Sequence, residues 1–237
     1  ICLSIPFEYA PGDCIGVFAC NDPTIVSKIV HNRAHKTIAR KGNEIPLIKY
    51  VTHYADLNTP SKKCISLLEN EGLKITQNLC ELLPSLSDNL FYKVLSVLKP
   101  LQPRLYSIAS SSITNPGTVR LVVDHIYTPT IGICSHYLCN TVNIGDPVQV
   151  YLHKTRNFFL DTLNPAVMIG SGTGIAPFIG FAETLVEQKS PQEHVLFFGS
   201  RNERHDHLYK HFWITVQDTI NISIHNAFSR DQPQKYY

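Results

Sequence analysis

The stretch Ala166-Val-Met-Ile-Gly-Ser-Gly-Thr-Gly-Ile-Ala-Pro-Phe178 decides how the C-terminal part of this chain folds. An apolar run short enough for a strand meets a glycine turn, and a helix is predicted from about Pro177 to Gln188. Strand, glycine turn and helix in that order open a parallel α/β layer, and the uninterrupted apolar run predicts a strand buried on both faces. Glycines let backbone N–H groups approach a pyrophosphate at a helix N-terminus, so the loop is a candidate phosphate cradle. It is not a Walker loop, since no Gly-Lys-Ser/Thr follows. Nor is it G-x-G-x-x-G, because position 175 is Ile.

Toward the C-terminus the rhythm repeats. Val195-Leu-Phe-Phe-Gly199 is a second strand-to-glycine step, Leu208 to Trp213 reads as helix, and Ile222-Ser-Ile224 reads as a third strand. An ordinary NAD site carries a carboxylate about 20 residues beyond the glycine loop to hold the ribose hydroxyls. Here the strand ends carry Ser200-Arg201, then Ser229-Arg230 and Lys235. Hydroxyls and cations suit a 2′-phosphate, which points to NADP. Each of these residues alone reads as a solvated surface group; their shared placement carries the expectation.

Upstream, Arg104 to Ser112 reads R-L-Y-S-I-A-S-S-S, after Pro100 and Pro103 have ruled out an entering helix. Arg104 can fork onto phosphate oxygens, Tyr106 offers an aromatic face, and Ser107 and Ser110 offer short donors. The competing reading is an edge strand running into a serine-rich turn. Around this stretch, residues 1 to 20 read as strands, with Pro11-Gly-Asp13 turning between Phe7-Glu-Tyr9 and Ile15-Gly-Val-Phe18. After Pro103, Val119 to Val123, a Gly-led segment from Gly132 to Leu138, and Val148 to Leu152 continue the strand pattern. Between them, helices are expected from Asp22-Pro23, with Asp22 as N-cap, and around Ile65, Leu67 and Leu68, around Leu79 to Leu83, and around Phe91 to Leu98. Those helices read as packing elements.

Composition excludes several classes. Hydrophobic content of 43%, charged content of 17% and a net charge of +2 describe a globular chain with no electrostatic footprint for nucleic acid. No apolar run reaches the roughly 20 residues that span a bilayer. The seven Cys are scattered with no C-x-x-C pair, which suits a reducing, cytoplasmic setting and argues against a zinc ribbon or a disulfide framework. His31/His35 and His207/His211 are spaced i, i+4, but neither pair has a third ligand in a convincing motif, so no metal is expected. G-S-G-T-G lacks the G-x-S-x-G elbow of a serine hydrolase.

Taken together, R-L-Y-S-I-A-S-S-S, G-I-C-S-H-Y-L, G-S-G-T-G-I-A-P-F-I-G-F, L-F-F-G-S-R-N and A-F-S-R-D resemble the reductase module of diflavin oxidoreductases, the ferredoxin-NADP reductase-like family, along essentially the whole chain. The resemblance implies a multi-domain fold: an antiparallel β-barrel FAD domain in residues 1–21 and 99–163, a helical connecting insertion in 22–98, and a truncated α/β Rossmann-like NADP-binding domain in 164–237. It implies that Arg104, Tyr106 and Ser107 bind FAD, with Ser107 catalytic beside the hydride-accepting ring nitrogen, and that Gly132, Ile133, Cys134 and Ser135 contact the FAD pyrophosphate. Thr173, Arg201, Ser229, Arg230, Lys235 and Tyr236 would hold NADPH. Electrons would pass to an FMN domain outside this chain and on to methionine synthase or a cytochrome P450. Thr59-Pro-Ser-Lys-Lys63, Leu101-Gln-Pro-Arg104 and Leu196-Phe-Phe-Gly199 favour the methionine synthase branch, and Ala227-Phe-Ser-Arg230 fits either. The family's C-terminal Cys-Gly-Asp segment, acid and terminal aromatic are absent, so the chain reads as a fragment expected to bind FAD and turn over slowly. The rivals are a redox-inert nucleotide-binding scaffold, against which Arg104, Tyr106 and Ser107 speak together, and a single-flavin ferredoxin reductase, which lacks such a helical insertion.

Overall fold

The computed structural model describes residues 1–73, 79–127, 131–231 and 234. In chain order the elements begin with β1 (Cys2–Ser4), β2 (Cys14–Val17), α1 (Pro23–Val30), β3 (Thr37–Arg40), β4 (Asn43–Pro46), α2 (Leu47–His53), α3 (Lys62–Asn70), α4 (Leu79–Leu82) and α5 (Asp88–Val97). They continue with β5 (Arg104–Ser107), β6 (Thr118–Arg120), α6 (Ile133–His136), β7 (Val150–His153), β8 (Val167–Ser171), α7 (Ala176–Glu187), β9 (His194–Ser200), α8 (Glu203–Asp206), α9 (Lys210–Thr219) and β10 (Ile222–Phe228). Two compact units result: one of Ile1–Gly16, Leu105–Asp124 and Val150–Tyr237, the other of Val17–Arg104 and His125–Gln149.

In the first unit, β10, β9 and β8 form a parallel sheet in that order, with Val167 opposite Val195 and Ile222 opposite His194. Each strand lies beside its sequence neighbour, as short connections favour. Helices α7 and α9 cover one face, where Met168, Leu196, Phe198 and Ile222 meet Phe178, Ile179, Trp213 and Val216 in one core cluster. The other face is open: Val167 is 67% and Ile169 72% exposed. The apolar run from Ala166 is therefore buried on one face only, because its inward and outward residues alternate and helices pack on a single side.

The remaining strands are short. They form a three-stranded sheet in the order β5-β2-β7 and the two-stranded pairs β1-β6 and β3-β4. Among the described residues no sheet closes into a barrel. Past the strand ends the ladder is carried by single bonds, Ile108 N–H to the Asp13 carbonyl at 3.1 Å and Ala109 N–H to the Arg120 carbonyl at 2.7 Å. Phe7 to Tyr9, expected as a strand, is irregular; Tyr9 is instead a buried anchor whose hydroxyl shares a 2.7 Å hydrogen bond with Ser110.

The second unit is largely helical. Asp22 caps α1 by accepting from the Thr24 and Ile25 N–H groups, Ser61 caps α3 and Ser87 caps α5. Val26, Ile29, Leu47, Leu68, Phe91 and Leu95 lie in one core cluster. The β3-β4 hairpin, unread in the sequence, turns at Lys41 and Gly42, with φ of 50° and 80°. The segment led by Gly132, expected to continue the strands, is helical over Ile133–His136. Among the described residues no helix is long and apolar enough to cross a membrane.

Candidate functional site: a strand-end cavity and the Arg104 strand

At the carboxyl ends of β8, β9 and β10 lies a cavity of about 680 Å³, lined by Ser171, Gly172 and Thr173 from the first strand end, Gly199 to Arg201 from the second and Ala227 and Ser229 from the third. Ligands bind at such strand ends in open α/β sheets, because the backbone N–H groups and helix N-termini converge there. The glycine loop is built tightly beneath and loosely above. A Cβ on Gly170 would come within 2.9 Å of the Gly174 carbonyl oxygen, whereas Gly172, at φ +51°, has nothing within 4 Å. Thr173 is exposed. The side away from the protein is thus free for a phosphate.

The cationic end of the cavity is stitched together by backbone bonds. Ser229 N–H reaches the Ser200 carbonyl at 2.9 Å and Arg230 N–H reaches the Arg201 carbonyl at 2.8 Å, which brings Arg201, Ser229 and Arg230 to one place. Arg201 is 60% exposed and pairs with Asp206 at 3.2 Å. Asp206 also accepts the Asn202 N–H at 3.1 Å, which holds its carboxylate in position to aim Arg201. Asp206 is a site residue that the sequence reading missed, as are Val122, Val123 and Asp124 on the cavity wall. A signal was present for Asp206: an acid five residues beyond a phosphate-type Arg, at the end of a single helical turn. Lys235 and Tyr236 lie outside the described residues.

Arg104, Tyr106 and Ser107 occupy β5, where alternation places Arg104 and Tyr106 on one side of the strand and Ser107 on the other. Among the described residues Arg104 makes no ion pair. Ser107 Oγ lies 3.8 Å from Cys14 Sγ. The serines beyond are structural. Ser110 is fully buried, and its Oγ also accepts the Arg120 N–H at 3.1 Å, so it is not the ligand donor it was expected to be. Glu183 on α7 accepts the Ser111 N–H at 2.8 Å and Asn115 Nδ2 at 3.1 Å, and it pairs with Arg120. A carboxylate among the buried residues of α7, between Ala182 and Thr184, was the sequence signal for this hub.

Gly132 to Ser135 form a turn and the first residues of α6. Ser135 is buried; its Oγ donates to the Gly132 carbonyl at 3.1 Å and accepts the Ile126 N–H at 3.3 Å. The hydroxyl is thereby committed within the turn, and so is the Gly132 backbone, whose N–H donates to the Ile126 carbonyl at 3.0 Å and whose carbonyl accepts the His136 N–H at 2.8 Å. His136, ending α6, bonds through Nε2 to Asp22 at 2.9 Å. The hydrogen bond from the Thr24 hydroxyl, with help from His136 and the capped N–H groups, holds the Asp22 carboxyl down at about 2. Among the described residues no three His, Cys, Asp or Glu side chains gather as a metal site.

Residues 168–237, which contain this parallel layer, match the family described as the oxidoreductase NAD-binding domain. The chain is homologous to the flavoprotein alpha-component of NADPH sulfite reductase. It is 30% identical over 263 residues to that of Sodalis glossinidius, covering 97% of this chain and 43% of the relative. It is 30% identical over 258 residues to that of Salmonella arizonae, with 97% and 43% covered, and 30% identical over 261 residues to that of Vibrio cholerae, with 97% and 42% covered. The chain thus spans about 43% of the length of the curated relatives it matches. Those relatives are NADPH-dependent flavoproteins.

Proposed function

We propose that this chain is the FAD/NADPH-binding reductase module of a diflavin oxidoreductase, which takes a hydride from NADPH onto FAD and passes electrons to an FMN domain. The observation that carries this reading is the strand-end cavity that gathers Thr173, Arg201 and Ser229. In it the Gly172 to Gly174 backbone and Thr173 hold the NADPH diphosphate. Arg201 and Ser229, with Arg230, Lys235 and Tyr236, hold the 2′-phosphate, Arg201 being aimed by Asp206. Arg104 grips the FAD pyrophosphate together with the Ile133 and Cys134 backbone, Tyr106 lies against the isoalloxazine, and Ser107 sits beside the hydride-accepting nitrogen. When bound, the flavin supplies the hydride acceptance and the onward electron transfer; the chain orients nicotinamide and flavin in contact.

In this reading residues 1–21 and 99–163 are the FAD domain, of barrel type, 22–98 the connecting insertion and 164–237 the NADP domain. The downstream acceptor is methionine synthase, with a cytochrome P450 second. Support for that choice lies in the short stretches Thr59–Lys63, Leu101–Arg104 and Leu196–Gly199. The curated relatives are components of sulfite reductase. That makes sulfite reductase hemoprotein the control acceptor.

The test is an absorption spectrum of the purified chain after FAD addition and desalting, followed by anaerobic NADPH titration. Retained flavin bands that bleach with NADPH are expected. Arg201→Met should weaken NADPH by roughly tenfold or more through loss of a charged hydrogen bond, while leaving NADH unchanged. A folded protein that retains no flavin would favour the redox-inert scaffold.

A further inference from the structure

The helical unit holds a second cavity, of about 430 Å³, whose wall is basic and aromatic and which the nucleotide reading leaves unused. Arg40, the last residue of β3, lays its guanidinium over the Tyr54 ring, with Cζ 3.7 Å from the ring centroid. Tyr50, one turn earlier on α2, donates its hydroxyl to the Leu95 carbonyl at 3.1 Å, which ties its ring to α5. Tyr92 on α5 also lines the wall, with the apolar Ile38, Leu98 and Pro100. Lys41 adds a second cation at the hairpin tip. It holds φ at 50°, a left-handed backbone that a residue with a Cβ adopts at a cost.

The Arg40 guanidinium forms no ion pair among the described residues. Glu44, on the facing strand opposite Ala39, does not pair with it. A guanidinium lying flat on a phenol keeps its N–H donors around its edge, in the plane where a planar or tetrahedral oxyanion would meet them. A cation with open donors, a second cation beside it and three phenol rings around an apolar floor match one ligand chemistry. We propose that this cavity binds a small aromatic anion, a phosphate or carboxylate carried on a planar ring, with Arg40 and Lys41 on the anion and Tyr54 and Tyr92 flanking the ring. This site is independent of the nucleotide reading.

Phenyl phosphate and benzoate, titrated separately into the full chain by calorimetry at low salt, test the proposal and distinguish the two anions. One saturable site is expected for at least one of them, while inorganic phosphate, which lacks the ring, binds at least tenfold more weakly. Arg40→Met should weaken binding by roughly tenfold or more, the loss expected for a hydrogen bond to a charged group. Lys41→Asn, which suits the left-handed position and so keeps the hairpin, should weaken it by about threefold through loss of one nearby charge. Arg201→Met should leave it unchanged. The proposal is overturned if neither probe saturates, if both hairpin variants bind like the parent, or if only Arg201→Met lowers affinity and so places the probe in the strand-end cavity.

Discussion

Two glycine-led turns in this chain behave differently in the fold. Gly170 to Gly174 ends a strand and leaves Ser171 and Thr173 exposed beside a cavity of about 680 Å³. Gly132 to Ser135 starts a helix and spends its hydroxyl on itself, between the Ile126 N–H and the Gly132 carbonyl. Each places small residues and backbone N–H groups where a phosphate could approach. A hydroxyl in such a motif is open to a ligand only where the fold brings no unpaired backbone group within reach, because a buried N–H must find an acceptor. The first turn leaves its hydroxyls exposed; the second spends its hydroxyl and the Gly132 backbone within the fold.

The comparison can be broken most forcefully at Gly170. A valine there meets the Gly174 carbonyl and the Phe178 ring, at 2.9 and 3.0 Å from the Cβ alone. Overpacking of this kind should cost ~3 kcal/mol in urea unfolding and abolish nucleotide binding. An unchanged midpoint would mean that the loop is not braced from below.

A smaller effect separates the two hydroxyls. Ser135→Ala removes the acceptor of the Ile126 N–H and the donor to the Gly132 carbonyl and should cost about 1 kcal/mol of stability. Thr173→Ala, at an exposed position, should stay within roughly 0.5 kcal/mol and be felt in NADPH affinity instead. If Thr173→Ala destabilised the chain as much as Ser135→Ala, the contrast between open and committed hydroxyls would fail.

The smallest effect is a local response to acid. His194 is fully buried; its Nδ1 accepts the Ala166 N–H at 3.1 Å and its Nε2 meets Ser190 at 2.9 Å, so a neutral ring holds the start of β8. Burial pushes its pKa below the ordinary imidazole value of 6.5. A base whose folded pKa is depressed leaves stability intact above 6.5 and loses it as the pH falls below 6.5 toward the folded value, where the unfolded chain takes up the proton first. Amide exchange at Ala166, corrected for intrinsic rate, should quicken in that window. The Asp22 cap beside α6 runs the same way at lower pH: its carboxyl, down from 3.8 to about 2, keeps its contribution above 3.8 and loses it between those values. Exchange at Ile25, capped by Asp22, should therefore hold steady between pH 6 and 4.5. Simultaneous loosening of both amides would remove the distinction.

The features legible beforehand were those settled within a few residues of themselves. Asp22-Pro23 opens α1 because a side-chain oxygen meets N–H groups two and three positions on. The order strand, glycine loop, helix followed from period and turn chemistry, and the strand ends carrying Arg201 and Ser229 followed from where those strands stop. Lys41-Gly42 escaped, because a lysine in a left-handed turn position is not part of the usual hairpin pattern.

The sequence by itself therefore determined the Asp22 cap, the parallel strands and the approximate place of the glycine loop, all of which depend on neighbours along the chain. Only the tertiary structure decided that Ser110 is a buried brace, that Ser111 docks on Glu183 across 72 residues, that Asp206 aims Arg201, and that Val167 and Ile169 face outward. The reason is physical: whether a hydroxyl, a cation or an apolar side is satisfied or free depends on which distant group packs against it, and composition and spacing hold no record of that contact.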